Sequence, residues 1–378
     1  MKAVTLGPAY PMRGGVASFN ESFSCMLIEH RWEVLNISYS SRFPRFLFPM
    51  KIPLEPGIRP MKLEIEPLIH AGNPLIWVRV VSRIGKFNAS VIIVHYWSPW
   101  LAPCLGFILG RLFRKTKGSI RMVAVLHQVK KERSPVKNLL NRYFLKKCHG
   151  FLIMSRTILK ELEESSINRP TRFVPHPVYR VFGEKVDKKE ARAFLKLDPD
   201  EPLILFFGIV RPYKGLNILL QAMAAEEVRK LSLRLIVAGE FFEGKEGYEK
   251  MIRSLKLENH VILMDEFIPT SEVKYYFCAA DLIIQPYLEA SQSGITQIAY
   301  QFERPMLVTD VGGLKETVPH EKVGYVSPVD PAAIARYIVD FYVNHREEEF
   351  VKNLAVEKKR FDWENMYAGL VGLLEEMG

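Results

Sequence analysis

The chain has 378 residues, 48% of them hydrophobic and 25% charged. That composition excludes a disordered or fibrous protein, and the length suits two domains better than one. The four cysteines (Cys25, Cys104, Cys148, Cys278) lie far apart, with no CxxC and no His/Cys cluster, which argues against a disulfide framework or a structural zinc site.

The net charge of +10 is polarised. Residues 1–180 carry 28 Lys+Arg against 10 Glu and no Asp, whereas residues 181–378 carry 24 Lys+Arg against 32 acidic side chains. A single mixed domain rarely divides this way, so a boundary near residue 180 is expected. The basic half should attract anions such as phosphorylated ligands, acidic lipid surfaces or nucleic acid. The opening MKAVTLGPAY lacks the apolar core of a signal peptide, which points to a reducing, cytoplasmic location.

In chain order, the first half shows short apolar runs: KAVTL (2–6), EVLNIS (33–38), VIIVHYW (91–97), MVAVL (122–126) and FLIMS (151–155). The second half continues with LILFFGIV (203–210), LRLIVAG (233–239), HVILM (260–264), DLIIQPY (281–287), PMLVTD (305–310) and GYVSP (324–328). Such runs suit strands covered on both faces, as in a parallel sheet wrapped by helices. Helix-length segments, 216–225 and 271–280 among them, lie between the runs. Two consecutive alternations predict an α/β fold of two Rossmann-like, doubly wound domains facing across a cleft. The polar stretch 177–202 contains the expected connection. The uncharged stretch 91–110 approaches membrane-spanning length, but Pro99 and Pro103 interrupt it and His95 and Ser98 add polar groups. A buried strand followed by a short helix is expected there.

Ligands of open α/β sheets bind beyond the carboxyl ends of the strands, so the residues after each strand are the candidates. After the first strand, Gly14 and Gly15 precede a helix expected near Val16. Paired glycines let a backbone approach a phosphate, although a plain turn would look the same. Strand 203–210 runs into RPYKGL, placing Arg211 and Lys214 at a strand exit, where two cations can neutralise a diphosphate; solvated loop charges are the alternative. The segment 288–294, LEASQSG, offers a helix cap that is also an anion or hydroxyl cradle. A fourth strand end, DVGGLKE (310–316), repeats the glycine pair before a helix. Asp198-Pro-Asp200 looks like a metal-binding DxD but precedes a strand, and is expected to be a surface turn.

The segments FFGIVRPYKGLNILLQA (206–222), VAGEFFE (237–243), 279–318 and GYVSPVDPAAIA (324–335) resemble bacterial glycosyltransferase family 4. GPAYPMRGGVASF (7–19), 91–106, VLHQVKKERS (125–134) and VPHPVY (174–179) are similar to it more loosely. The resemblance covers nearly the whole chain. It implies a GT-B architecture, a nucleotide-sugar donor and transfer with retention of anomeric configuration. An acceptor-binding domain (1–180), a donor-binding domain (181–360) and a last helix (361–378) crossing back onto the first domain follow from it. By the same resemblance Lys214 and Arg211 hold the donor diphosphate, and Gly14 and Gly15 form the loop that closes on the phosphates. His127 lies near the transferred sugar, and His95 occupies a similar position. No metal or other cofactor is expected.

Two departures from the family pattern stand out. Ile209 occupies the position after the strand-end glycine where the family more often has arginine, a role Arg211 can take. Of the family's two glutamates, Glu289 matches the first, but the second falls on Gln297 or Ile298. Gln292, Ser293 and Gly294 are then expected to hold the sugar or phosphate, with Glu316 contributing.

Residues 101–150 hold 12 Lys+Arg against one Glu. Within them, 134–147 reads as a helix capped by Ser134, with Val136, Leu139, Leu140, Tyr143 and Phe144 on one face, either against a core or on an anionic membrane. The segment 42–51, RFPRFLFPMK, interleaves aromatics with cations. Peripheral attachment to the inner face of a cytoplasmic membrane, and a glycan or lipid-linked acceptor, are expected. Nucleic acid is not expected, since none of its binding motifs is present, and the absence of GxGxxG argues against a nicotinamide oxidoreductase. The remaining alternative is a non-catalytic relative that binds a nucleotide sugar as a partner or sensor.

Overall fold

The computed structural model describes residues 1–12, 14–40, 63–129, 134–179, 181–242, 244–290 and 293–378. The segment 42–51 and Gln292 lie outside these residues. The chain divides into two units, Met1–Pro177 together with Asp362–Gly378, and Val178–Phe361.

The first unit is a parallel sheet of β1 (Lys2–Leu6), β2 (Glu33–Tyr39), β3 (Ile65–Ile69), β4 (Val91–Tyr96), β5 (Arg121–Leu126), β6 (Gly150–Ile153) and β7 (Thr171–Phe173). Its strand order is β3-β2-β1-β4-β5-β6-β7. Central β1 pairs with β2 (Ala3 beside Val34) and with β4 (Ala3 beside Val91). Every residue of β4 is buried, as an apolar run covered on both faces requires.

The helices of this unit are α1 (Gly15–Glu29), α2 (Pro74–Phe87), α3 (Ala102–Lys115), α4 (Pro135–Leu145) and α5 (Arg156–Glu164). The order reverses direction after β3, so right-handed crossovers put α1 on one face of the sheet and α2 to α5 on the other. Val80 and Ile84 of α2, Leu105 and Ile108 of α3, Phe144 of α4 and Ile158 of α5 accordingly share one buried cluster. The stretch after β4 is a short 3-10 turn, Pro99–Leu101, followed by fourteen residues of α3, a longer helix than expected. No helix among the described residues is long and apolar enough to cross a membrane.

The second unit is a parallel sheet of β8 (Leu203–Phe207), β9 (Arg234–Ala238), β10 (Val261–Met264), β11 (Leu282–Gln285), β12 (Met306–Thr309) and β13 (Gly324–Ser327), in the order β10-β9-β8-β11-β12-β13. Its helices are α6 (Lys188–Phe194), α7 (Leu216–Met223), α8 (Glu226–Arg229), α9 (Lys245–Ser254), α10 (Val273–Ala279), α11 (Gly294–Gln301), α12 (Leu314–Thr317), α13 (Pro331–Val343) and α14 (Glu347–Glu357). A second core joins Phe206, Val237 and Ile284 of the sheet to Leu219, Ile334 and Phe350 of its helices.

At the opposite end of these strands a buried ion network ties the entering segment to the sheet. Asp281 accepts from Lys188 Nζ at 2.7 Å, Arg192 at 2.9 Å and the Leu203 amide at 2.7 Å. The Asp198-Pro-Asp200 segment is an exposed turn in which the Asp198 carboxylate accepts from the Asp200 amide at 2.9 Å.

The last helix, α15 (Trp363–Glu376), belongs to the first unit. Asp362 caps it, and Trp363, Met366, Leu370, Leu373 and Leu374 are buried. Its Tyr367 ring stacks on His30 at 3.5 Å.

Candidate functional site

At the carboxyl end of β8 the chain turns through Gly208 to a 3-10 turn, Pro212–Lys214. Gly215 then has φ +69, and a Cβ there would fall 1.9 Å from the Pro286 carbonyl oxygen. Only glycine therefore lets the β8 and β11 exits meet this closely. The Leu288 amide donates to the Tyr213 carbonyl at 2.7 Å and completes the junction.

Lys214 is buried at this junction, 5.7 Å from the Tyr287 ring, and its Nζ lies 3.5 Å from the Phe207 carbonyl oxygen. Burial pushes its ammonium down to about 8, and the Arg211 charge pushes the same way. Among the described residues no carboxylate is paired with it, so a desolvated positive charge is left that an anion would balance. Arg211 stands at the start of the same turn, its guanidinium 4.5 Å from the Phe242 ring. Tyr213 is raised mainly by burial, with Arg211 lowering and exposed Glu289 raising it, so both charges act on one hydroxyl.

The β11 exit leads to α11. Ser293 precedes the helix, but its hydroxyl makes no cap; it donates to the Gln285 side-chain oxygen at 2.5 Å. Gln285 also holds Thr296 Oγ1 through its amide nitrogen at 3.1 Å. Gln285 was not singled out from sequence, although a polar residue inside the run DLIIQPY was its signal. It fixes the loop end and the first turn of α11, leaving that turn's N–H groups at the carboxyl end of the sheet. A Cβ on Gly294 would lie 3.2 Å from the Tyr179 hydroxyl. Gln297, one of the two positions on which the second glutamate of the resemblance falls, is buried, and its Oε1 has no hydrogen-bond partner among the described residues. Glu316 is half-buried on α12, and the neighbouring Lys315 pairs with Asp310 at 2.8 Å. The structure thus gathers Arg211, Lys214, Glu289 and the Ser293–Gly294 step around the ends of β8 and β11, while Glu316 follows β12.

In the first unit, Gly14 (φ +120) precedes α1, and a Cβ placed there would meet no atom within 4 Å. Gly15 opens the helix. One turn further along, Phe19 packs against three imidazoles: His95 at 5.6 Å, His127 at 5.0 Å and His176 at 4.9 Å between ring centres. His95 Nδ1 and His127 Nε2 are 3.1 Å apart. His176 Nδ1 lies 2.8 Å from the Pro177 carbonyl oxygen; because a carbonyl only accepts, His176 carries its proton on that nitrogen.

All three rings are held neutral. Burial pushes His95 down to about 3 and His176 down to about 4. His127 is held well below the usual imidazole range by burial, with His95 and His176 opposing its charge. The cluster can exchange hydrogen bonds with a neutral hydroxyl without presenting a fixed charge.

Comparison with known proteins bears on both units. Residues 201–344 match the family described as glycosyl transferases group 1. The D-inositol 3-phosphate glycosyltransferase of Segniliparus rotundus is 31% identical over 192 residues, which is 49% of this chain and 42% of that protein. The chain thus spans less than half the length of that relative. Among solved structures, sucrose-phosphate synthase of Thermosynechococcus elongatus superposes with TM-score 0.78 and 18% identity, over 100% of this chain and 99% of the other. Anabaena HepE in complex with UDP does so with TM-score 0.73 and 15% identity, over 100% of both. The superpositions carry the GT-B fold through both units, and residues 201–344, within the second unit, match the group 1 glycosyltransferase family.

Proposed function

We propose that the protein is a retaining glycosyltransferase that moves a sugar from a nucleotide-sugar donor to a glycan or lipid-linked acceptor. Cell-surface polysaccharide, lipopolysaccharide or glycolipid synthesis is the setting, on the inner face of the cytoplasmic membrane. The observation that carries the proposal is Lys214, a buried cation at the β8 exit beside Arg211. In transfer, negative charge grows on the leaving diphosphate, and preorganised cations and helix-terminal N–H groups stabilise that charge more than the ground state. Lys214, Arg211, Ser293 and Gly294 serve this purpose, with Gln292 next to Ser293 in the sequence and Glu316 beyond β12. Gly14 and Gly15 offer an open backbone to the phosphates. His127 contacts the transferred sugar as a neutral hydrogen-bonding group, and Glu289 contacts the donor sugar.

Solved structures of HepE hold UDP and UDP-glucose, which makes UDP the first nucleotide to try. The test is a thermal-shift screen of UDP-, GDP- and ADP-sugars, followed by product formation from a labelled nucleotide sugar. Selective stabilisation with turnover supports the proposal. Binding without turnover over a panel of acceptors favours the non-catalytic alternative, which the missing second glutamate recommends.

A further inference from the structure

The helical layer formed by α2, α3 and α4 has an outer face that the sheet does not use. On α4 the apolar stripe is only partly a core stripe. Phe144 is buried, but Val136, Leu139 and Tyr143 are exposed, Leu139 by 68%. On α2, Leu75 and Val78 are exposed as well, Leu75 by 79%. Scattered apolar residues on a surface are ordinary, but these lie on two helices that flank α3, and each helix meets it through aromatic rings. Trp77 of α2 meets Phe107 of α3 at 5.5 Å. On the other side of α3 the Tyr143 ring lies across Gly106, where a Cβ would fall 2.3 Å from a ring carbon.

The three helices run parallel, each following a strand of a parallel sheet, so their first turns share one end. Leu75, Val78, Val136 and Leu139 gather toward that end. Lys86, Arg111, Arg114, Lys115, Arg142 and Lys146 crowd the other, all exposed. None of the three helices contains an Asp or Glu.

We propose that this face docks on an anionic phospholipid surface, the apolar end entering the headgroup boundary and the basic end lying on the phosphates. Apolar and aromatic side chains beside an acid-free row of cations match the chemistry of that boundary. An acidic protein would match the charge but would not call for bare leucines. A second copy presenting the same face would bring like charges together. The inference deepens the membrane setting proposed above and rests on it; the donor site plays no part in it.

The experiment is co-sedimentation of the full chain with vesicles of phosphatidylcholine alone or mixed with phosphatidylglycerol. The variants are Val136→Glu/Leu139→Glu and, separately, Arg142→Glu/Lys146→Glu. Wild type should partition onto the anionic vesicles only, and each double variant should lose at least about tenfold in partitioning. Both should unfold at the wild-type temperature and keep the same thermal response to UDP. Wild-type partitioning in the variants overturns the face, as does failure of wild type to bind. A dimer in sedimentation velocity that the same substitutions abolish assigns the face to a second copy and overturns it too. Loss of the UDP response in wild type itself would instead strike the donor reading and leave the docking result standing.

Discussion

Two sheets of the same kind present opposite chemistry at their carboxyl ends. The first unit offers neutral imidazoles sunk among Phe19, Phe23 and Trp363; the second offers a buried ammonium. Both arrangements work against solvation, but only the second places net charge where water is excluded. The fold therefore sets where a ligand can bind, and a few side chains decide whether that end prefers hydroxyls or phosphates.

The largest effect that could break this contrast is in acid. His95, His127 and His176 have folded values below the unfolded 6.5, so the unfolded chain binds protons first as pH falls. Stability from this source is complete above about pH 6.5 and is lost from there down to about pH 4 for His176 and about pH 3 for His95, at up to about 1.4 kcal/mol per pH unit for each ring. Urea titrations between pH 7 and 4.5 should show it, and His95→Phe should flatten the slope by one proton. An unchanged slope in that variant would mean the ring is not held neutral.

Next comes Lys214→Ala, which should reduce transfer by about 2.7–4 kcal/mol of barrier and abolish stabilisation by UDP. In the free protein the sign reverses. The ammonium's folded value is below its unfolded one, so its burial disfavours the fold below about pH 8, and that penalty fades as pH rises toward 10.5. Lys214→Met should therefore raise Tm at pH 7 while losing UDP. A variant that keeps its UDP response removes Lys214 from the diphosphate site.

Gln285→Leu is a smaller perturbation. It leaves Ser293 and Thr296 without their shared partner and should cost roughly 1–3 kcal/mol in chemical denaturation, together with weaker UDP binding. Unaltered UDP binding would mean the α11 loop end does not touch the donor.

The smallest effect is in pH-dependent affinity. UDP should bind with proton uptake near pH 8 and lose up to about tenfold in affinity per pH unit above it. Calorimetry in two buffers of different ionisation heat measures this, and a flat profile from pH 7 to 9.5 contradicts it.

Much of the fold was legible because strands buried on both faces read as apolar runs. The two strands missed, β3 and β7, are the sheet's edges; IEPLI contains a proline and a glutamate, and TRF is three residues long with two of them exposed. On α4 the periodicity gave the stripe but not which part is wet, because that depends on how closely α3 covers it. Ser134 precedes that helix without a side-chain cap bond. At the candidate site, Arg211 and Lys214 stood out by spacing. The burial of Lys214 did not, since it follows from Gly215 drawing two distant strand exits together. The His95–His127 pairing was equally hidden, because neighbouring strands bring together residues 32 apart in sequence.

The return of α15 to the first unit has a consequence in time. The second unit is one uninterrupted stretch, Val178–Phe361, whereas the first is complete only when Asp362–Gly378 joins it. On a ribosome the later-encoded sheet can close its core first, while the earlier one waits with the places of Trp363 and Leu370 unfilled. Chaperone dependence during synthesis should accordingly belong to the half that was made first.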